Sequence, residues 1–337
     1  MTHITTAQLP DSHHDPHHDG GGGRRISWIG LLTEYAIVWV VLALFLFLAL
    51  TTPNFLSAAN MRNILDQQSL ILIAASAATI VLISGGFDLS QGAVYVVAPL
   101  VALGVEIQTG SVIVAILAGL SFGLVVGAVN GGVITLGKIN SFIATLATSF
   151  IIFGIGFIVS DRALMRPDDR DAWAVLARTD ILGITSATVI AIIVVVAAGF
   201  LLSQTRFGRY VYAVGGNADA ARLAGVRVRW VIVGAFTLSA VAAALAGVLR
   251  SSRTMSSTPS DDLHFVFDVL AAVVVGGTSI AGGEGAIWRT VLGAFFIAFM
   301  INGFNLNQID PIFQRIVQGT VILAAVGIDA WARSRRS

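Results

Sequence analysis

The chain has 337 residues, of which 56% are hydrophobic and 12% charged, and its mean hydropathy is +0.85. One soluble core cannot hide that much apolar surface, so the composition points to a single polytopic membrane domain. The absence of cysteine excludes disulfides, thiolate metal sites and a cysteine nucleophile, and a net charge of +1 gives no reason to expect nucleic acid as a partner.

Residues 1–27 are polar and read as a disordered tail. His13, His14, His17 and His18 have a spacing that suits a transition metal, but a flexible segment beside four glycines has no preorganised geometry. Incidental low complexity is therefore preferred to metal sensing or a tag remnant, and no metal site is expected. Arg24 and Arg25 precede the first apolar run, 35–50. A signal peptide is the competing reading, but the polar leader is too long for one, so the run is taken as a retained span that starts in the cytoplasm. Residues 51–68 then form the first outside segment.

Further apolar runs fall at 69–84, 92–107, 111–137, 141–160, 184–203, 230–249, 265–281, 286–303 and 313–330. With the first they predict an all-α polytopic integral membrane bundle of about ten transmembrane helices over residues 28–332, followed by a short basic tail at 333–337. Both ends then lie on one side. Of the 20 Lys and Arg residues, 12 fall inside and 8 outside on this map, a modest positive-inside bias. The segment 204–230 holds five Arg against one Asp, whereas 161–180 offsets four Arg with five Asp and reads as a charge-balanced outside loop. Glu34 and Glu106 read as ordinary interface charges.

Within the fourth run, Gly119, Gly123, Gly127 and Gly131 recur every fourth residue. On a helix this makes a smooth ridge that a second helix can approach closely, so the span is expected to be central. Asn130 lies beside the end of the ridge, at a depth where it needs a partner. Two spans look short and end in glycine: 69–84 before Gly85 and Gly86, and 265–281, which contains Gly276 and Gly277 and precedes Gly282 and Gly283. Paired Gly-broken segments in a transporter point to the permeation path, because unwound backbone survives in hydrocarbon only where it is buried in protein or lines a cavity. Asp88 and Ser90, in GGFDLSQG, either line that path or cap the third span at its N-terminus; Asp268 has the same two readings.

The long charged segment 204–230 is where coupling to anything outside the membrane is expected. Asn217 is a good N-cap, Asp219 an anion in the first turn, Arg222 a cation near the last turn, and Gly225 a left-handed stop. They predict an isolated two-turn helix over 218–224, too short to stand without packing or a partner. Its small face, Ala220, Ala221 and Ala224, is expected to meet that partner.

The run TRFGRYVYAVGGNADAARLAGV (205–226) resembles the cytoplasmic coupling loop of the ribose, xylose and galactose class of ABC-transporter permeases, within the branched-chain amino acid and sugar permease superfamily. The resemblance continues in order through GGFDLSQG (85–92), NSFIATLAT (140–148), DVLAAVVVGGTSIAGGEGA (268–286) and NGFNL (302–306), and covers 52–329. It implies a permease of the bacterial inner membrane with both termini cytoplasmic, in which two copies form one pore. It also implies a periplasmic substrate-binding protein as the donor and a cytoplasmic ATP-binding subunit as the motor, so that this chain holds no cofactor of its own. Residues implied for coupling are Gly215, Gly216, Asn217, Asp219, Ala221, Arg222, Leu223 and Gly225. Those assigned to the translocation pathway are Gly85, Gly86, Asp88, Ser90, Asn130, Asp268, Gly276, Gly277 and Asn302, although for Asn130 a helix–helix hydrogen bond is preferred to contact with substrate. Departures from the family pattern are Gln91 for Val, Ser141 for Pro, Glu284 for a basic residue and Trp288-Arg289 for Leu-Gly.

The expected cargo is a monosaccharide or related polyol, a neutral solute whose path needs hydroxyl and amide partners more than charge. Alternatives are a permease of the same fold for branched-chain amino acids or nucleosides, or an ion-coupled secondary transporter. No GxxxxGK[ST], HExxH or GxSxG motif occurs, so the chain is not expected to be an enzyme and ATP must be hydrolysed elsewhere.

Overall fold

Apolar runs become helices here because every backbone N–H and C=O in hydrocarbon must find its partner within its own segment. The computed structural model describes residues 35–261 and 263–334, with side chains as far as Gly327. The histidine-rich tail, Arg24, Arg25, Glu34 and residues 335–337 lie outside the described residues. In order, the helices are α1 (Ala36–Thr51), α2 (Ala58–Ile83), α3 (Ser90–Thr109), α4 (Val112–Gly137), α5 (Ser141–Val159), α6 (Arg170–Arg178), α7 (Ser186–Gln204), α8 (Arg206–Gly216), α9 (Ala218–Leu223), α10 (Val228–Thr254), α11 (His264–Val275), α12 (Ile287–Leu306) and α13 (Pro311–Ser334).

Seven of these, α2, α3, α4, α5, α7, α10 and α12, are long and apolar enough to cross a membrane; α1, α11 and the Pro311–Gly327 part of α13 are shorter apolar helices. The protein is an all-helical, multi-pass membrane bundle whose apolar runs lie where the sequence places them, while the count that length alone supports is seven rather than about ten. The segment read as 51–68 contracts to residues 52–57, because α2 starts at Ala58, with the Ser57 hydroxyl accepting from Asn60 N. Residues 69–84 are therefore not a short span but the inner part of a 26-residue helix. Its first turns carry Asn60, Arg62, Asp66, Gln67 and Gln68, which hid the helix from a hydropathy reading. By contrast α11 is short, with 12 residues, or about 18 Å of helix.

The glycine ridge of α4 meets α10. A Cβ on Gly123 would sit 2.7 Å from Ala240 O, one on Gly127 2.5 Å from Phe236 O, and one on Gly131 2.6 Å from Val233 Cα. At that separation backbone packs on backbone, which supplies the van der Waals contact that holds helices together in lipid. Around this seam α3 and α10 bury Ala93, Val94, Val97, Ala98, Ala240, Ala243, Ala244 and Leu249 in one apolar cluster.

The charge-balanced loop after α5 is not open chain. Asp169 caps α6 by accepting from Ala172 N, and Trp173 is fully buried against α10, where Ser252 Oγ donates to Trp173 O at 2.6 Å. A two-stranded hairpin, β1 (Asp180–Ile181) and β2 (Ile184–Thr185), follows; Leu182 and Gly183, both at positive φ, turn it. Glu106 is no simple interface charge: it is fully buried and accepts from the backbone N–H of Asp168 and Asp169 at 3.0 Å each. It pins the loop to the end of α3.

Candidate functional site

Between α2 and α3 the chain dips into the bundle. Gln91 Nε2 donates to Ser239 Oγ of α10 at 2.7 Å and to the carbonyl of Ala74, well inside α2, at 3.3 Å. Asp88 is buried here. Its Oδ1 accepts from the N–H of Ser90 at 3.0 Å and the Ser90 hydroxyl at 2.5 Å, and its Oδ2 accepts from the Ser239 hydroxyl at 2.6 Å. Ser90 Oγ in turn accepts from Asn130 Nδ2 of α4 at 2.9 Å.

Leu89, at the N-cap position of α3, makes no side-chain cap bond. Asp88, one residue earlier, supplies the missing acceptor and also ties α3 to α10. A buried carboxylate with three donors is satisfied, as a charge in a low-dielectric site must be. The amide oxygens of Gln91 and Asn130 find no partner among the described residues, leaving two buried acceptors with unused capacity in the same cluster. Ser141, one of the departures from the family pattern, accepts from Phe87 N at 3.0 Å, and Thr145 accepts from Leu89 N at 3.1 Å. These two hydroxyls from α5 hold the dipping turn in place.

A second junction lies where α2 ends. Gly283 N donates to Ile83 O at 2.8 Å, and a Cβ on Gly282 would lie 2.9 Å from Gly85 Cα. Gly215, near the end of α8, leaves no room for any side chain: its Cβ would collide with Ile83 O and stand 2.7 Å from Gly283 N. Tyr212 of α8 donates from its hydroxyl to Gly285 O at 2.7 Å, and burial pushes its phenol pKa up, so the donor stays protonated. The loop 204–230, the GGFDLSQG turn and the 276–286 turn thus meet backbone to backbone.

From this junction α9 projects. Asn217 Oδ1 accepts from Asp219 N and Ala220 N, Gly225 adopts φ +85°, and the C-terminus closes with Gly225 N to Arg222 O and Val226 N to Ala221 O, both 3.0 Å. That pair of bonds is the Schellman closure. The helix agrees with the sequence reading, but it is not isolated, because α8 precedes it directly. Nor is its small face uniformly outward: Ala221 is buried among Ile80, Val214, Val231 and Phe236, whereas Leu223 is 90% exposed. Two helices meeting at Asn217 explain the difference, since the face that packs on α8 cannot also meet a partner.

The remaining residues of interest sit apart. Asp268 of α11 accepts from Gln318 Nε2 of α13 at 2.7 Å. Asn302 of α12 exchanges two amide hydrogen bonds with Asn60 of α2, at 2.8 and 2.9 Å. Gly276 abuts α12, where a Cβ would lie 2.5 Å from Arg289 O, and Gly277 takes φ +82° in the turn that follows. Gly86 faces the Phe236 ring at 3.0 Å from its would-be Cβ. Sequence reasoning passed over Ser239, Tyr212, Asn60 and Gln318. Ser239 alone stood out locally, as a hydroxyl within an apolar stretch of α10; for all four, only the neighbouring helices reveal what each one bonds.

Residues 60–326 match the family described as branched-chain amino acid transport system / permease component. The ribose import permease protein RbsC of Escherichia coli (strain K12) is 35% identical over 315 residues, covering 91% of this chain and 97% of its own length. The RbsC protein of Bacillus subtilis (strain 168) is 34% identical, covering 91% and 95%. The L-arabinose transport system permease protein AraH of Escherichia coli (strain K12) is 35% identical, covering 93% and 94%. No solved structure matches.

Proposed function

We infer that this chain, which belongs to the family of branched-chain amino acid transport system permease components, is the membrane permease subunit of an ATP-driven sugar importer. It is a transport subunit rather than an enzyme, and it works with a separate ATP-binding subunit and a substrate-binding protein. The relatives named for ribose and L-arabinose support a monosaccharide as cargo. The single structural observation that carries the mechanism is the contact of Gly215 and Tyr212 with Ile83, Gly283 and Gly285, which joins the loop 204–230 to both glycine turns.

On this reading the ATPase grips α9, with Asn217, Asp219, Arg222, Leu223 and Gly225 building its capped, exposed surface and Ala221 anchoring it inward. Movement of α9 passes through Gly215 and Gly216 to the turns at 85–88 and 276–286. Because the glycines there have no side chains, backbone displacement is handed on without slack. The pathway side comprises Gly85, Gly86, Asp88, Ser90, Asn130, Gly276, Gly277, Asp268 and Asn302, with the unpartnered, buried acceptors of Gln91 and Asn130 in the same polar cluster.

All ten apolar helices cross the inner membrane, α1, α11 and α13 completing the seven longer ones, and both termini are cytoplasmic. The membrane domain is 28–332, flanked by tails 1–27 and 333–337. Two copies form the pore, and ATP binds only to the partner subunit. The test is ATPase activity of the reconstituted complex over a panel of pentoses and hexoses, each with the cognate substrate-binding protein. Stimulation by one sugar-loaded binding protein is expected; stimulation only by a loaded amino-acid or nucleoside carrier would refute the sugar assignment.

A further inference from the structure

Where α4 ends and α10 begins, the surface carries two adjoining grooves that share Arg227 and Trp230 as a common wall. One, of about 520 Å³, is lined by Ile134 and Thr135 of α4, Arg222 of α9, and Val226, Val228, Arg229 and Ile232 among others. The other, of about 470 Å³, is lined by Phe207, Tyr210, Gly225 and Val231. Both volumes fall in the range of about 300–1,000 Å³ common for small-molecule sites.

Three guanidinium groups therefore converge on an apolar floor. Among the described residues Arg222 pairs with Asp219 at 3.4 Å, but Arg227 and Arg229 have no carboxylate within ion-pair distance. Arg227 occupies the N-cap position of α10 without a side-chain cap bond, so its side chain has no role in ending the helix. Trp230 is 63% exposed one turn from that helix end, and Arg229 lies over its ring at 5.8 Å. An exposed tryptophan at a helix end, with apolar residues on one side and cations on the other, matches the chemistry of the membrane–water boundary.

We propose that these two grooves form a binding site for one anionic phospholipid, its phosphate held by Arg227 and Arg229 and its acyl chains lying against Ile134, Val228, Ile232 and Phe207 on either side of Trp230. The charge complementarity singles out an anionic headgroup: two unpaired cations attract phosphate, while an apolar floor rejects a free, fully hydrated ion. The site adjoins α9 through Arg222, so an occupied groove steadies the base of the projecting helix. This assignment does not depend on the cargo.

The test uses the full complex in phosphatidylcholine vesicles with and without phosphatidylglycerol, and reads phosphatidylglycerol carried through purification by mass spectrometry. Near an anionic surface each arginine contributes about five-fold to binding. The double variant Arg227→Gln, Arg229→Gln should therefore retain about thirty-fold less phosphatidylglycerol. Arg227→Lys should retain it nearly fully, and Arg209→Gln, exposed on α8 outside both grooves, should match the wild type. Should the double variant fold poorly, the wild type alone decides: phosphatidylglycerol should raise its melting temperature and inorganic phosphate should not. Equal retention by the double variant and the wild type overturns the proposal. So does unchanged retention with a lost ATPase subunit, which would assign the groove to the ATPase, and so does stabilisation by inorganic phosphate alone.

Discussion

Asp88 does two structural jobs at once. Its Oδ1 caps α3 through Ser90 N, and its Oδ2 holds Ser239 of α10. Asp88→Asn keeps an oxygen for Ser90 but replaces the charge-assisted bond from Ser239, which contributes about 1.5–3 kcal/mol. The expected outcome is a lower melting temperature with most transport retained. Ser239→Ala should cost more, because Ser239 Oγ also accepts from Gln91 Nε2 at 2.7 Å, and the double variant should cost less than the sum of the two single ones, because they share one bond. Fully additive losses in thermal unfolding would show that the two side chains act separately. Glu106 teaches the same lesson: a carboxylate that looks like surface charge in sequence has its partners in backbone amides of a loop some sixty positions away.

At the scale of elements, α9 is a six-residue helix that stands because Asn217 and Gly225 close its ends and Ala221 packs inward. Enlarging Ala221 overpacks the protein's own core, which costs about 1–3 kcal/mol whatever the partner does. It therefore says little about docking. Leu223 points outward, and Leu223→Asp should leave stability within about 0.5 kcal/mol while the ATPase subunit dissociates during purification. If the Leu223→Asp complex copurifies with its ATPase and transports at the wild-type rate, α9 is not the docking element. The glycines of the α2, α8 and 276–286 junction belong to the same scale: a Cβ on Gly215 would collide with Ile83 O, and one on Gly282 would lie 2.9 Å from Gly85 Cα, so either would push the segments apart.

For the whole molecule the question is which of the ten apolar helices cross. If α7, one of the seven helices long and apolar enough to span, crosses, residues near Asp168 and Gly216 lie on opposite faces. If α1 crosses as well, reporters at the N-terminus and after Gly216 share a face; if it lies along the surface, they are opposed. Likewise, crossing by α11 puts Ser260 and Gly283 on opposite faces, although its helix covers only about 18 Å of a hydrocarbon layer about 30 Å thick. Accessibility of single cysteines to an impermeant reagent should place Ser260 outside and Gly283, Gly216 and the N-terminus inside. Labelling of Gly216 from outside would invert the arginine argument along with the map.

Hydrophobic runs, cap residues and glycine spacing are local signals, and they were enough to locate the apolar helices, the close-packed face of α4 and the closure of α9 at Asn217 and Gly225. Each depends on chemistry within one turn or one helix: backbone bonds satisfied inside the segment, a side-chain oxygen beside free N–H groups, or a residue without Cβ at left-handed φ. Only the tertiary structure decided that α2 begins eleven residues before its apolar run, that α8 precedes α9, that Ala221 faces inward, and that Gly85, Gly215 and Gly283 share one junction. Polar residues in a helix, and glycines in a turn, take their meaning from the segment packed against them. That segment is distant in sequence, and its position follows from the packing of the whole bundle.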